Sequence, residues 1–296
     1  MPESAPPTQH FFESQRLRIS YWDWGNETAP PLVLVHGGRD HARTWDKVAE
    51  AFRNDYHVVA LDLRGHGDSQ WAIGSQYGLP DVALDVLRMI EVVGAPARVI
   101  AHSFGGLSTL VGAGTYPELF EAMVVIDGVD SGIMSNHTKG MGPGWLGKWG
   151  DTARGYETPR MRVYKTVDEA AARLHEENPR IPDDILRTIA AYAVKPVDGG
   201  YVWKFDGWVL NRTSMEVRRD ELPNFWAAAN FPILLVSGTE SHLRMPDNSD
   251  IPSKFPDARF VMVEDAAHWV HLEKLDILLD HVRTFFAEVS AKQGVS

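Results

Sequence analysis

The amino-acid sequence predicts an α/β fold, with a mostly parallel, doubly wound sheet of about eight strands and a mainly helical cap inserted after strand six. Three observations predict it. Short runs rich in Val and Ile are apolar almost throughout, as a strand buried on both faces requires. Amphipathic stretches of helical spacing separate those runs, and this alternation builds parallel sheets through right-handed crossovers. Over residues 131–229 the alternation breaks into glycine-rich loop, helical segments and many Trp and Tyr residues.

The strands are expected in order as follows. Two short ones, near 11–13 and 17–22, form an antiparallel edge. Runs at 31–35, 57–63, 98–101, 122–126, 231–236 and 258–263 supply the rest. Helices are expected over 44–52, 79–93, 107–115 and 275–289, where apolar residues recur at three- and four-residue spacing. Within the insertion, helices are expected at 167–177 and 182–193, because Asp168, Glu169, Asp183 and Asp184 fall in first turns, where the helix dipole favours anions. The chain therefore divides into an α/β core of residues 1–130 and 230–296 and a cap of residues 131–229.

Composition narrows the function classes. A chain that is 44% hydrophobic and 23% charged has a globular balance, which excludes disordered and collagen-like proteins. A net charge of −11 repels phosphate backbones, so no nucleic-acid partner is expected. The absence of cysteine removes disulfides, thiol nucleophiles and thiolate metal sites together. The first residues carry neither a basic start nor an apolar run, and no apolar stretch reaches the ~20 residues a bilayer span needs. A cytoplasmic protein without a membrane span is expected.

The segment that carries chemistry is VIAHSFGG at 99–106. A buried strand ends there in a tight turn centred on Ser103, and a helix follows. Such a turn forces the serine backbone into a strained conformation and lifts its hydroxyl clear at the end of the sheet. Strand and helix then pass so closely that only small residues fit two positions either side, here Ala101 and Gly105.

Four further segments fall in order along the chain: VLVHGG at 33–38 with Trp45 after it, DLRGHGDS at 62–69, AAHWVHLE at 266–273, and the final helix. With the elbow at Ser103, they resemble the α/β-hydrolase family over essentially the whole chain apart from a variable cap. Alanines replace two motif glycines, at Ala101 and in the segment before His268. The resemblance implies Ser103 as nucleophile and His268 as the base that activates it. The backbone N–H groups of Gly38 and Phe104 would receive the oxyanion. His36 is expected to brace its loop, and Arg64 to serve as an ion-pair partner.

The third triad member departs from the commonest pattern. The family usually places an aspartate three residues after the glycine that ends strand seven, and Ser241 stands there. Two carboxylates remain as candidates. Asp127 ends strand six, and Glu240 lies beside the usual position. The pairing of an Ile-Asp end on strand six with G-x-x-S after strand seven resembles a subgroup of small acyl-ester hydrolases, which favours Asp127.

The expected activity is that of a serine carboxylesterase on a small or medium hydrophobic acyl ester, with Trp145, Trp208 and Trp269 lining an apolar substrate pocket. Carbon–carbon hydrolysis, lactone opening, amide cleavage and perhydrolysis use nearly the same residues, and a non-catalytic receptor of the same fold is the reading from another class. His268 and His271 stand three residues apart, but no third ligand near them in sequence completes a metal site. No metal or other cofactor is expected.

Overall fold

The computed structural model describes residues 5–74, 77–129, 143–156, 161–210, 216–245 and 249–293. An eight-stranded sheet runs through the molecule in the order β1-β2-β4-β3-β5-β6-β9-β10. β1 (Thr8–Ser14) and β2 (Leu17–Asp23) form the antiparallel edge, and β2 lies antiparallel to β4 (His57–Leu61). β3 (Pro31–Val35), β5 (Ala97–His102), β6 (Phe120–Ile126), β9 (Ile233–Gly238) and β10 (Ala258–Val263) continue in parallel.

The apolar runs form central strands because both of their faces are covered. Val33, Val35, Val59, Leu61, Val99, Ala101, Met123 and Val125 point to one side. They meet α2 (Leu79–Val93) and α3 (Ser103–Thr115) there. The intervening Leu32, Leu34, Val58, Ala60, Ile100, Val124 and Ile126 point to the other, against α1 (Asp46–Phe52) and the final helix (Leu275–Gln293). The two-residue period of a strand thus sorts one continuous apolar run into two cores.

The chain reverses its direction of winding at β3, which lies between β4 and β5. The loops leaving β3 and β5 diverge to opposite faces at that point and leave a crevice at the carboxyl ends of the strands. Gly37, Gly38 and Ser103 all sit at this crevice.

Between β6 and β9 lie α4 (Pro143–Tyr156), α5 (Val167–Glu177) and α6 (Asp183–Ala193), a hairpin of β7 (Val194–Val197) and β8 (Gly200–Trp203), and α7 (Leu222–Ala228). Thr166 starts α5 by accepting the Glu169 N–H at 3.1 Å, while Glu169 accepts the Lys165 N–H at 2.7 Å, a reciprocal cap. The β7–β8 hairpin is a short strand element within the otherwise helical insertion. Its signal is Asp198-Gly199-Gly200 between apolar residues, with Gly199 at φ 82° and Gly200 at φ 150°. The expected cap boundary at residue 229 also takes in α7. Its Leu222 and Trp226 are buried in the same cluster as α2 and α3, so this helix packs as part of the core layer.

Hydrogen bonds tie this segment to the sheet side. The Tyr77 hydroxyl donates to Asp206 at 2.6 Å, the Asp206 N–H to the Gly65 carbonyl at 2.7 Å, and the Trp71 indole to the Lys204 carbonyl at 2.9 Å. Among the described residues no helix is long and apolar enough to cross a membrane.

Candidate active site

Ser103 is the first residue of α3, with φ 50° on a non-glycine residue, a strained conformation that only tight packing maintains. That packing comes from two close approaches. A Cβ on Gly105 would stand 2.2 Å from the His36 carbonyl oxygen, and one on Gly128 would stand 2.6 Å from the Ser103 carbonyl oxygen. The loop after β3 and the end of β6 therefore clamp the turn from both sides, and neither position has room for a side chain.

Three side chains expected from the sequence come together here. Ser103 Oγ lies 2.9 Å from His268 Nε2, and His268 Nδ1 lies 3.4 Å from Asp127 Oδ2. A carboxylate only accepts, so Nδ1 carries the ring proton, and Nε2 is left to accept from the serine hydroxyl. The Asp127 side chain is fully buried, and its Oδ1 accepts the Ser237 hydroxyl at 2.5 Å. Ser237 stands on β9 one step beyond the last register pair, Ile126 with Val236. The alternative acid, Glu240, is solvent-exposed and forms no hydrogen bond or ion pair with His268 among the described residues; His268 Nδ1 is instead directed to Asp127. Ser241, at the family's usual acid position, accepts the Leu243 N–H at 3.1 Å and closes a local turn.

Glu273 holds the loop that carries His268, accepting the Ala267 N–H at 2.9 Å and the Trp269 N–H at 3.3 Å. Gly38 and Phe104 face each other: a Cβ on Gly38 would lie 3.8 Å from the Phe104 Cβ. Both line a cavity of about 460 Å³ together with Ser103, Asp127, His268 and Trp269. His36 braces the loop after β3. Its Nε2 accepts the Leu63 N–H at 2.9 Å, so its Nδ1 donates to the Gly37 carbonyl at 2.6 Å. Arg64 is buried and holds Asp85 with two bonds of 2.7 and 2.8 Å.

Of the three expected pocket tryptophans, Trp269 lines the cavity. Trp208 does not. The turn at Gly207–Leu210 directs Val209 into the cavity and lays Trp208 against the first core cluster. The side chain of Trp145 lies outside the described residues. His66 and His242 line the cavity without having been singled out from the sequence. His66 filled a variable position of the turn motif, and His242 follows Ser241 directly; only folding shows where they point.

Burial governs the titration of the surrounding rings. It drives His36 and His102 well below the ordinary histidine range, helped by neighbouring histidines. His66 is pushed down to about 4 and His271 to about 3, again chiefly by burial. Desolvation also lowers His242, with His268 adding to the effect. Rings held neutral place no positive charge beside the imidazole that must accept a proton. Burial pushes the Asp40 carboxyl up to about 7, against the stabilising bond from Thr44.

A serine hydroxyl 2.9 Å from a ring nitrogen, a carboxylate on the far side of that ring, and Gly38 in the loop after β3 facing Phe104 at the start of α3 are the kinds of parts that acyl transfer requires. Comparison with known proteins agrees with the fold. A serine hydrolase-like protein of Danio rerio is 26% identical, over 92% of this chain and 86% of its own length. The 2-(acetamidomethylene)succinate hydrolase of Mesorhizobium japonicum is 24% identical, over 87% of this chain and 88% of its own. The thioesterase domain from the curacin biosynthetic pathway superposes with a TM-score of 0.80 at 21% identity, covering 94% of this chain and 99% of that one. Residues 30–275 match the alpha/beta hydrolase fold family, and the chain belongs to that family.

Proposed function

We propose that the protein is a serine hydrolase, a carboxylesterase that cleaves small or medium hydrophobic acyl esters through an acyl-enzyme on Ser103. The observation that carries this reading is the 2.9 Å contact between Ser103 Oγ and His268 Nε2. Ser103 Oγ attacks the ester carbonyl while its proton passes to His268 Nε2, and Asp127 steadies the resulting imidazolium. The Gly38 and Phe104 N–H groups hold the oxyanion. Collapse of the tetrahedral intermediate breaks the bond to the alkoxide, which takes the proton from His268. Water then repeats the sequence on the acyl-enzyme, with His268 again as base. The separation of 3.4 Å between His268 and Asp127 is at the long end for a hydrogen bond, as catalytic contacts often are before substrate binds.

The apolar lining from Leu107, Val209, Leu243 and Trp269 supports a hydrophobic acyl or aryl group. Glu177 and Asn178, at the end of α5, line the same cavity, which supports a cap that covers the bound substrate. The test is intact-mass spectrometry after incubation with a fluorophosphonate, followed by peptide mapping. One adduct per chain, on Ser103, is expected. A folded protein that forms no adduct overturns the reading and leaves the receptor alternative.

One observation favours a second reading, cleavage of an amide in a carboxylate-bearing substrate. Arg39 lines the cavity at φ 62°, directly after the oxyanion loop, and has no carboxylate partner among the described residues. The Mesorhizobium japonicum relative is named for a substrate with two carboxylates and an amide. Faster turnover of acyl amides bearing a free carboxylate than of matched neutral esters would shift the assignment to this reading.

A further inference from the structure

Behind the nucleophile turn lies a cluster of polar atoms that the proposed hydrolysis does not use. Asp40, His102 and His271 are 5%, 1% and 1% exposed, and one potential ligand atom from each lies within 4.8 Å of the others. Asp40 Oδ2, His102 Nδ1 and both ring nitrogens of His271 have no hydrogen-bond partner among the described residues. Buried polar atoms are nearly always satisfied, so several orphans converging on one point call for a shared partner.

Two of the three groups are already oriented for a ligand at that point. His102 Nε2 lies 2.9 Å from the His268 carbonyl oxygen. A carbonyl only accepts, so Nε2 carries the proton and the Nδ1 lone pair faces the cluster. A metal-binding histidine typically donates its other N–H to a carbonyl or carboxylate in this way. Asp40 Oδ1 accepts the His41 N–H at 2.7 Å and the Thr44 hydroxyl, which leaves Oδ2 buried and without a hydrogen-bond partner. The third group, the His271 ring, is stacked on Trp45 with centroids 4.4 Å apart and sits 4.7 Å from the His102 ring. No hydrogen bond restrains its rotation.

We propose that Asp40 Oδ2, His102 Nδ1 and one nitrogen of His271 form a binding site for a divalent first-row transition metal, best suited to zinc. Two imidazoles and one carboxylate are nitrogen and oxygen donors of intermediate softness, which suit zinc, cobalt or nickel better than calcium or magnesium. Ligand bonds of about 2.0–2.2 Å require the three atoms to draw together, and a small shift of the His271 ring within its stack on Trp45, which no hydrogen bond opposes, supplies the movement. The ligands come from the loop after β3, the residue before Ser103 and the turn after His268. An ion there fastens together the three segments that surround the candidate nucleophile, and it takes no part in the acyl-transfer steps. The inference is independent of the hydrolase reading, because its test measures binding.

The experiment starts from the full-length protein stripped with a chelator and titrated with zinc. Isothermal calorimetry is paired with thermal unfolding and with anomalous diffraction at the zinc edge from soaked crystals. One zinc per chain is expected, with an anomalous peak between the three side chains and a raised Tm. Asp40→Asn keeps Oδ1 and its two bonds but removes the charged ligand. It should weaken binding by at least about 100-fold, because loss of a mere outer partner already costs about 10–100-fold. His271→Phe should do the same while preserving the stack on Trp45. His175→Ala, which removes an exposed histidine paired with Asp183, should leave the affinity unchanged. Wild-type protein that takes up no zinc, or whose Tm ignores it, overturns the proposal and identifies the cluster as the wall of a buried-water site. An anomalous peak elsewhere, or equal affinity in both variants, overturns it as well.

Discussion

The ends of β6 and β9 both place a carboxylate in the neighbourhood of His268, and they treat it differently. Asp127 closes β6 with its side chain fully buried and its backbone at φ 45°. Its N–H donates to the Val236 carbonyl at 2.9 Å, and the Ser237 hydroxyl occupies one of its oxygens, which leaves the other toward His268. Glu240 follows β9 in an exposed turn, where only its backbone is tied down, to the Ala266 carbonyl at 2.9 Å. The family's usual acid position lies on this second end, yet its aspartate is replaced by Ser241. A triad acid is therefore marked by what holds it in place more than by its distance along the chain from a motif. A buried carboxylate with fixed partners can hold an imidazole in one tautomer, and an exposed one on an extra torsion cannot.

The largest effects should come from the residues that the two ends serve. Ser103→Ala is expected to lower kcat about a million-fold, to the residual level left by the oxyanion donors and substrate binding. Tm should stay within a few degrees of wild type, because the turn is held by backbone and glycine contacts. His268→Ala should fall to a similar level, and the double variant no further, since nucleophile and base act as one unit. An additive double variant would separate the two residues and dissolve the unit that the comparison of the two ends presumes.

Next in size is the comparison itself. Asp127→Asn, which keeps the shape but offers His268 the wrong hydrogen-bonding face, should lower kcat by about 10²–10⁴-fold with KM little changed. Glu240→Gln should stay within about twofold of wild type. Steady-state kinetics on one ester decides the ranking, and the reverse order would move the acid to the end of β9.

Much of this site was legible in the sequence because it depends on local rules. The elbow at Ser103 follows from small residues around a strand-to-helix turn, and the two-sided burial of β3, β5 and β6 follows from their unbroken apolar runs. The choice between Asp127 and Glu240 was open because it depends on Ser237, whose hydroxyl meets Asp127 only once β6 and β9 pair in register. The Asp40, His102 and His271 cluster was invisible for the same reason. His271 was read beside His268, its neighbour in sequence, whereas folding turns it toward the loop after β3 and the last residue of β5. The place of Trp208 was not legible because neighbouring residues of a helical turn point in different directions: Val209 reaches the cavity as well as the core, and Trp208 only the core. The β7–β8 hairpin was legible in its Asp-Gly-Gly turn but was overshadowed by the flanking helices.

A smaller loss than that of Asp127→Asn sharpens the contrast most. Ser237 is the residue of β9 that reaches across to the acid of β6, and it also lies 3.4 Å from the Met245 N–H. In Ser237→Ala the Asp127 carboxylate loses a donor at Oδ1 and with it one restraint on the direction of Oδ2. A hydrogen bond to a charged group contributes about 1.5 kcal/mol, so kcat should fall about tenfold while KM is retained. The same substitution placed on Asp127→Asn should change kcat by less than about twofold, because Ser237 acts through a carboxylate that is no longer present. A tenfold loss in both backgrounds would mean that Ser237 acts through the Met245 loop instead. In that case the Ser237 hydroxyl would not orient the Asp127 carboxylate, and burial together with the backbone bond to Val236 would distinguish it from Glu240.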